Sequence, residues 1–281
     1  MLFVVQSMKD IKQDLGLSNE EIARRAGLPV STVQRIFSGT TNAPRKETLQ
    51  AIVQAMNDVL SDGFHLPPPL REAVDPANAP LRETAPAYTS KVPGEYTVED
   101  YYALPDDRRV ELIDGVFYDM AGPSIVHQQI LGQLYLQFHA CVEAHGEGCE
   151  VFLSPCDVRL DSDDKTMVQP DLFVVCREYD LKARAFDGAP DLVVEIQSPS
   201  TQSMDTTRKM WKYHQAGVRE YWIVCPWEKA VTVYDFTVTA PPGFSMQFYT
   251  FDDQIPILIS GGKCSIDFAA IHKKIAKFYE S

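Results

Sequence analysis

Two apolar segments of the chain each carry a single carboxylate at a position where a charge is costly. Asp171 lies in the run 168–175 and Glu195 in the run 191–197, and both runs have the β-branched composition of buried strands. An ionised carboxylate in such a strand needs a cation or strong hydrogen-bond donors. Two of them on successive strands therefore predict a shared divalent ion, Mg²⁺ or Mn²⁺, bound through oxygen.

A lysine and a glutamine accompany these carboxylates. Lys209 lies in the helix predicted after the second segment, and Gln197 shares a strand face with Glu195 because side chains two apart point the same way. Phosphodiester hydrolysis needs a nucleophilic water and neutralisation of the phosphate charge, which a carboxylate-bound metal ion and a lysine can supply. This set predicts metal-dependent hydrolysis, although Gln197 can hydrogen-bond water without adding positive charge.

Alternating helix and strand signals after residue 95 predict the elements that hold these groups. Asp114-Gly115 is a strong hairpin signal, and Ser124 is predicted to cap a long amphipathic helix that runs to about His145. Further strands are predicted at about 150–160, 168–176, 190–197, 220–225 and 230–236, with a helix at about 205–216. This order predicts an α/β domain (α+β, with a mixed sheet).

The N-terminal part of the chain predicts a small all-α domain. Ser18 opens a capping-box pattern before one short helix, and Gly27-Leu28-Pro29 makes the turn to a second helix that Ser31 is predicted to cap. A third helix is predicted at about 44–57. Two short helices joined by a glycine-containing turn match the helix-turn-helix motif.

A proline-rich stretch separates the two units. Residues 61–95 contain seven prolines and little periodicity, which predicts a solvated spacer that lets the units act semi-independently. The predicted division is therefore a helix-turn-helix domain at 1–60, a linker at 61–95 and a larger domain at 96–281.

Charge and cysteine content bound the partners and the location. The net charge is −13, of which residues 1–60 contribute +1 and the rest −14. Since indiscriminate nucleic-acid binders are usually basic, the acidic part argues against tight non-specific DNA binding.

The six cysteines show no Cys-x-x-Cys spacing and lie mostly in apolar runs, so we expect reduced thiols, a cytoplasmic location and no zinc site. No apolar run reaches transmembrane length, so no membrane partner is expected.

The N-terminal helices carry a pattern found in phage repressors. It reads Leu17-Ser18-x-Glu20-Glu21-Ile22-Ala23-x-x-Ala26-Gly27-Leu28-x-Val30-Ser31-Thr32-Val33-x-Arg35-Ile36-Phe37-Ser38-Gly39, followed by Pro44, Thr48 and Leu49. This stretch resembles the Cro/CI (XRE) helix-turn-helix family, in which the second helix of the motif enters the major groove of double-stranded DNA. The resemblance implies that Gln34 and Arg35 read base edges and that Ser31 and Thr32 contact phosphates. On the residues alone, Ser31 and Gln34 could simply cap the helix, and Arg35 could be a solvated charge. A near-neutral domain of this size would bind weakly alone, so we expect a homodimer.

The larger domain carries the motifs of a nuclease superfamily. The order Asp171, Glu195, Lys209 is similar to the PD-(D/E)xK signature, and residues about 96–240 resemble the Uma2 family of restriction-endonuclease-like proteins. The matching pieces are Arg109-Val110-Glu111-Leu112-Ile113-Asp114-Gly115, His127, Pro170-Asp171, Pro190-Asp191-Leu192-Val193-Val194-Glu195-Ile196-Gln197-Ser198-Pro199-Ser200-Thr201, Asp205-x-x-x-Lys209-x-x-x-Tyr213 and Gly217-Val218-x-Glu220-Tyr221-Trp222-Ile223-Val224. The resemblance implies a PD-(D/E)xK restriction-endonuclease-like core that cleaves DNA. Gln197 stands where the superfamily usually has its lysine, and Lys209 in the following helix takes that place.

These patterns define the predicted functional residues and leave plainer interpretations open. The predicted catalytic set is Asp171, Glu195, Gln197, Lys209, Glu111 and His127, of which Asp171, Glu195 and Glu111 are predicted metal ligands. Glu111 could instead form a surface ion pair with its arginine neighbours, His127 could be structural, and Lys209 could be a solvated helix residue.

Two functions are compatible with this sequence. The first is a metal-dependent DNA endonuclease that the helix-turn-helix directs to its site. The second is a helix-turn-helix transcriptional regulator whose nuclease-like domain is inactive and serves in dimerisation or partner binding. Gln197 and the acidity of the chain after residue 60 favour the second function, whereas the ordered carboxylates and Lys209 favour the first.

Overall fold

The computed structural model describes residues 5, 8, 9, 12, 17–41, 44–61, 91–105, 108–145, 148–160, 164–198, 208–239 and 244–279. Most of the predicted linker, residues 62–90, lies outside the described residues. The first part of the helix predicted at about 205–216 lies outside them as well. The predicted division of the chain at residues 60 and 95 therefore stays a prediction.

The described N-terminal unit contains the helices α1 (Asn19–Ala26), α2 (Val30–Phe37) and α3 (Lys46–Ser61). The Ser18 hydroxyl accepts a hydrogen bond from the Glu21 backbone N–H at 3.0 Å, so the predicted cap is confirmed. Apolar residues at helical spacing form the centre of the unit, since Ile22 of α1, Val33 of α2 and Ile52 of α3 are all fully buried.

Two details of these helix ends differ from the sequence-based expectation. The carboxylate of Glu21 pairs with Arg24 and Arg25, both at 2.6 Å, so the reciprocal half of the capping box is replaced by ion pairs along the helix. The prediction that Ser31 caps α2 is wrong. The helix begins at Val30 after Pro29, whose fixed φ suits a helix start without a side-chain cap.

The C-terminal unit contains two larger sheets and a two-stranded one. Its elements are α4 (Val98–Tyr102), β1 (Val110–Ile113), β2 (Val116–Asp119), α5 (Ile125–His145), β3 (Glu150–Leu153), β4 (Val158–Arg159), β5 (Met167–Val168), β6 (Leu172–Val175), β7 (Phe186–Asp187), β8 (Leu192–Ile196), α6 (Met210–Ala216), β9 (Glu220–Cys225), β10 (Ala230–Asp235), β11 (Ser245–Thr250), β12 (Gln254–Pro256), β13 (Ser265–Asp267) and α7 (Phe268–Ile275). Short 3₁₀ turns cover Leu258–Ser260 and Ala276–Phe278. Together with the preceding helices, these mixed sheets confirm the predicted α/β class and the small all-α N-terminal unit.

The six-stranded sheet is the main support of the larger unit. Its order is β11-β10-β9-β8-β6-β3, and all its pairs are antiparallel except β8 with β9. The five-stranded sheet has the order β2-β1-β5-β4-β7. The predicted hairpin at Asp114-Gly115 is confirmed and joins β1 to β2.

Alternating side chains of the main sheet face two different layers. Leu172 and Val174 of β6 belong to the cluster packed under α5, whereas Phe173 and Val175 belong to the cluster on the opposite face. Tyr213 of α6 lies in that second cluster. Helix α5 therefore covers one face of the sheet and α6 the other. Within the described ranges, none of the helices combines the length and apolar character needed to cross a bilayer.

The two units are in contact. Helix α3 packs against β11, the edge strand of the main sheet, and buried apolar residues run continuously from the helical unit into this part of the sheet. The semi-independent action expected from the linker composition stays a prediction.

The prediction that the cysteines are reduced is wrong for four of the six. Cys141 in α5 is bonded to Cys264, and Cys149 is bonded to Cys176, while Cys156 and Cys225 are free thiols. The paired residues are 123 and 27 positions apart, so local spacing gave no sign of them. Pairing of β3 with β6 brings Cys149 beside Cys176, since the neighbouring residues Glu150 and Val175 lie opposite each other.

Candidate active site

A lysine ammonium lies between two buried glutamates at the centre of the candidate site. The Lys209 Nζ is 2.9 Å from Glu111 Oε2 and 3.0 Å from Glu195 Oε1. The three side chains are only 6–7% exposed. With both carboxylates ionised and the lysine protonated, their formal charges sum to −1. This buried group therefore attracts further positive charge.

Different elements bring these three side chains together. Glu111 lies on β1 in the five-stranded sheet and Glu195 on β8 in the main sheet. Lys209 is the residue immediately before α6. The Glu111 Oε1 accepts a hydrogen bond from the Gln169 backbone N–H at 2.9 Å. Glu111 is therefore held by a second group besides the lysine. Glu195 also has a second partner, the hydroxyl of Tyr213.

Tyr213, which the sequence analysis did not include among the predicted site residues, also contacts Glu195. Its hydroxyl donates to Glu195 Oε1 at 2.7 Å, one helical turn after Lys209. Burial, followed by the charges of Glu195 and Glu111, raises the pKa of Tyr213 well above its ordinary value of 10. The hydroxyl therefore keeps its proton as a donor. The spacing of four residues was a signal for this contact, since it places both side chains on one helix face.

Asp171 is close to Glu195 but points to a different partner. It directly precedes β6, whose Leu172 pairs with Val194, so it lies at the strand end beside Glu195. Its Oδ2 accepts from the Ile196 backbone N–H at 2.7 Å and lies 3.0 Å from His127 Nε2. His127 stands in the first turn of α5, and Ser124 caps this helix as predicted, accepting from the His127 backbone N–H at 3.1 Å.

The ring of His127 has one nitrogen left over. Its Nε2 faces Asp171, while its buried Nδ1 has no hydrogen-bond partner among the described residues. If Nε2 carries the proton toward the carboxylate, Nδ1 is an acceptor. His127 is therefore joined to the carboxylate set, rather than packed as an isolated core residue.

Gln197 lies at the end of β8, the strand that carries Glu195. It follows β8, it is buried, and its backbone N–H donates to the Val224 carbonyl at 2.8 Å.

A polar cluster of Tyr101, Asp157 and Gln169 adjoins the site. The Gln169 side-chain amide donates to Asp157 Oδ1 at 2.8 Å and to the Tyr101 hydroxyl at 3.0 Å, and that hydroxyl donates to Asp157 Oδ1 at 2.8 Å. Burial, followed by the hydrogen bond to Asp157, raises the pKa of Tyr101. Because the backbone of Gln169 binds Glu111, this cluster fixes the strand segment that positions Glu111. Nothing in the sequence pattern singled it out.

The donor chemistry of the site fits a hard divalent ion. Among the described residues, no three His, Cys, Asp or Glu side chains are arranged as a ready-made metal site. The reason is local, since Lys209 lies between Glu111 and Glu195, and Asp171 is turned toward His127. The three carboxylates nevertheless present the oxygen ligands that Mg²⁺ and Mn²⁺ prefer, and two of them already hold a cation.

The predicted DNA-contact residues lie together on α2. Ser31, Gln34 and Arg35 are exposed and Thr32 is half-buried, while the opposite side of the helix is buried through residues such as Val33 and Ile36. The exposed side of α2 is therefore available to a partner.

Comparison with known proteins identifies the two parts of the chain. The family model described as "Uma2: Putative restriction endonuclease" matches residues 98–241. The chain belongs to the Uma2 family. A helix-turn-helix family model matches residues 8–60, so this Uma2 protein carries a helix-turn-helix at its N-terminal end.

One relative and one solved structure illustrate the likeness. "Uncharacterized protein slr1290" of Synechocystis sp. (strain ATCC 27184 / PCC 6803 / Kazusa) is 31% identical over 139 residues, which cover 48% of this chain and 72% of that protein. The crystal structure of a "putative nuclease belonging to DUF820" from Anabaena variabilis ATCC 29413 superposes with a TM-score of 0.53 at 19% identity. The match covers 63% of this chain and 97% of that one, and it establishes a shared fold.

Proposed function

We propose that this Uma2 protein is a metal-dependent DNA endonuclease that its helix-turn-helix directs to double-stranded DNA. The observation that carries the proposal is the convergence of Glu111 and Glu195 on one ammonium, within 3.0 Å. A buried, net-negative set of carboxylates that already holds a cation is suited to binding a divalent ion. Asp171 lies at the adjoining strand end and completes the proposed ligand set.

The proposed roles follow from the chemistry of each side chain. Glu111, Asp171 and Glu195 hold Mg²⁺ or Mn²⁺, which when bound would lower the pKa of a water ligand and neutralise charge on the phosphate. Lys209 positions the attacking water and stabilises the developing negative charge. The remaining members are His127, a phosphate contact paired with Asp171, and Gln197, which hydrogen-bonds water.

The DNA-reading part of the proposal rests on α2. Gln34 and Arg35 read base edges in the major groove, and Ser31 and Thr32 contact phosphates. A homodimer would double this contact, which the weakly charged N-terminal unit needs for useful affinity. We keep the division of the chain at residues 60 and 95 as part of the proposal. The cytoplasmic location stays a prediction, supported by the DNA substrate and opposed by the two disulfides.

A regulator with an inactive nuclease-like domain is the second candidate. It is supported by the lack of a ready three-ligand group among the described residues and by a glutamine, Gln197, at the usual lysine position. In this case the helix-turn-helix would bind an operator, and the larger unit would serve in dimerisation or partner binding.

Incubation of the full chain with supercoiled plasmid and Mg²⁺ or Mn²⁺ distinguishes the two candidates. We expect nicking by the wild type, none in EDTA, and a loss of at least about 100-fold for Glu195→Gln because a metal ligand is removed. Glu178→Gln, which alters an exposed carboxylate outside the site, is the matched control. Equal nicking by wild type and Glu195→Gln would exclude the proposed centre and leave the regulator.

A further inference from the structure

Lys209 lies between two of the proposed metal ligands. Its ammonium contacts Glu111 Oε2 at 2.9 Å and Glu195 Oε1 at 3.0 Å, and all three side chains are buried. A lysine that only positioned water would not need to bind both carboxylates directly. Here it neutralises part of their charge, as an ion between them would.

We propose that Lys209 is a built-in counter-ion that competes with the divalent ion for Glu111 and Glu195, so that the ion binds only when the lysine side chain moves aside. This inference rests on the proposed function, because it assumes that the same carboxylates are the metal ligands. The physical reason is that an ammonium and a divalent ion repel each other and cannot both contact the same carboxylate oxygens in a buried site.

The surroundings make the lysine the movable member of the group. The Tyr213 hydroxyl holds Glu195, and the Gln169 backbone N–H holds Glu111. Both carboxylates also project from β-strands that are paired with neighbouring strands. Lys209 has a flexible four-carbon stem and stands just before the first residue of α6. Its ammonium can therefore be displaced while the carboxylates keep their places.

The competition has a consequence for the metal-free protein. Without a lysine at position 209, Glu111 and Glu195 would face each other in a buried site with no cation, which is strongly destabilising. Adding a divalent ion would then restore the missing positive charge. Metal binding and folding stability should be coupled much more strongly in such a variant than in the wild type.

Thermal unfolding of the full chain without DNA tests this inference. Lys209→Met keeps the length of the side chain and removes its charge. In EDTA we expect a lower Tm for Lys209→Met than for the wild type, and in a Mn²⁺ titration an apparent affinity at least about tenfold higher, because no ammonium has to be displaced. Lys212→Met, three residues further along in α6, is the matched control. Lys212 pairs with the half-exposed Asp114 at 2.6 Å, so this variant should bind Mn²⁺ as the wild type does.

Equal Mn²⁺ affinity in the wild type and Lys209→Met would overturn the competition, and so would weaker binding by the variant. If Lys209→Met does not fold in EDTA, a crystal structure of the wild type with Mn²⁺ provides the decision. We expect the Lys209 ammonium to have left its place between the two carboxylates. A bound ion with the ammonium still at about 3 Å from both oxygens would contradict the proposal.

The nuclease proposal and the competition fail in different ways. Tighter Mn²⁺ binding by Lys209→Met, together with no plasmid nicking by the wild type, would support the competition and remove the nuclease. Plasmid nicking that depends on Glu195, together with equal Mn²⁺ affinities, would support the nuclease and remove the competition.

Discussion

At the scale of single residues, one oxygen of Glu195 accepts hydrogen bonds from two groups of the same helical segment. Lys209 supplies a charge and Tyr213 a neutral hydroxyl to Glu195 Oε1. The lysine was predicted from the sequence because it matched a nuclease pattern. Tyr213 belongs to the same pattern, but its ring is fully buried, and a buried aromatic ring usually only packs. Its role follows from the position of its hydroxyl, which composition does not reveal.

Removing the Tyr213 hydroxyl should loosen the proposed metal ligand without removing it. We expect Tyr213→Phe to lower the free energy of unfolding by about 2 kcal/mol, as for other hydrogen bonds to a charged group, and to slow DNA cleavage by about tenfold. Urea unfolding and plasmid nicking measure the two effects. Tyr96→Phe is the control, since Tyr96 is equally buried but donates to the Lys91 carbonyl, away from the site. Equal nicking rates for the two variants would contradict a positioning role for Tyr213.

Glu220 is a buried carboxylate outside the site whose ionisation should make stability depend on pH. Its two oxygens accept from Trp222 Nε1 at 2.6 Å and from the Ile259 backbone N–H at 2.9 Å. Burial dominates over these bonds and raises the pKa of Glu220 from 4.5 to about 7. The folded protein therefore holds a proton between these values that the unfolded chain has released. The stabilising effect is fully present below about pH 4.5 and is lost as the pH rises through about 7.

Replacing Glu220 by glutamine should remove this dependence. Relative to Glu220→Gln, we expect the wild type to lose about 3 kcal/mol of unfolding free energy between pH 4.5 and pH 8. Urea unfolding across this range measures the difference. Glu143→Gln, which changes an exposed carboxylate on α5, should track the wild type at every pH. A constant difference between wild type and Glu220→Gln would show that Glu220 titrates at its ordinary pKa.

At the scale of elements, the sequence predicted those helices, strands and turns whose own residues carry a turn motif or an apolar periodicity. The hairpin of β1 and β2, helix α5, and strands β6, β8, β9 and β10 all lie where turn residues and apolar periodicity placed them. The strand predicted at about 150–160 is instead two strands in different sheets, β3 and β4. Pro155 removes a backbone donor between them. Strands β4, β5 and β7 have only two residues each and depend on distant partners, which no local pattern reveals.

The turn between β1 and β2 should be sensitive to a single methyl group, because β1 carries Glu111. Gly115 has a φ of 73°, and a Cβ there would lie 2.5 Å from the Gly94 carbonyl oxygen. We therefore expect Gly115→Ala to lower the free energy of unfolding by about 2–3 kcal/mol. Gly132→Ala is the control, since Gly132 lies in the middle of α5 with open space around it. That variant should gain about 1 kcal/mol from helix propensity, and comparable urea midpoints for both variants would contradict this account of the turn.

At the scale of the whole molecule, the sequence separated two units but did not reveal how they meet. The packing of α3 on β11 brings together segments almost 200 residues apart in the chain. The two disulfides likewise join residues that share no motif. Contacts of this kind depend on the three-dimensional arrangement of completed elements, so local composition carries no signal for them.

The proposed DNA reading by α2 can be separated from the chemistry of the larger unit. Arg35→Ala in the full chain should lose about 10- to 100-fold in affinity for a duplex that the wild type selects, with little change on unrelated duplexes, because base contacts rather than phosphate contacts are removed. Fluorescence anisotropy at fixed salt measures both affinities. Arg24→Ala is the control, because Arg24 lies on α1, where it pairs with Glu21, and not on α2. Unchanged discrimination in Arg35→Ala would remove Arg35 from the proposed base contacts.

The most direct test of the proposed metal centre is single-turnover cleavage of a labelled DNA duplex, with duplex binding measured in the same preparations. We expect the wild type to cleave in Mg²⁺ or Mn²⁺, and Glu195→Gln and Asp171→Asn to bind the duplex normally while cleaving at least about 100-fold more slowly. Cleavage by both variants at the wild-type rate would contradict the assignment of these carboxylates to a catalytic metal site.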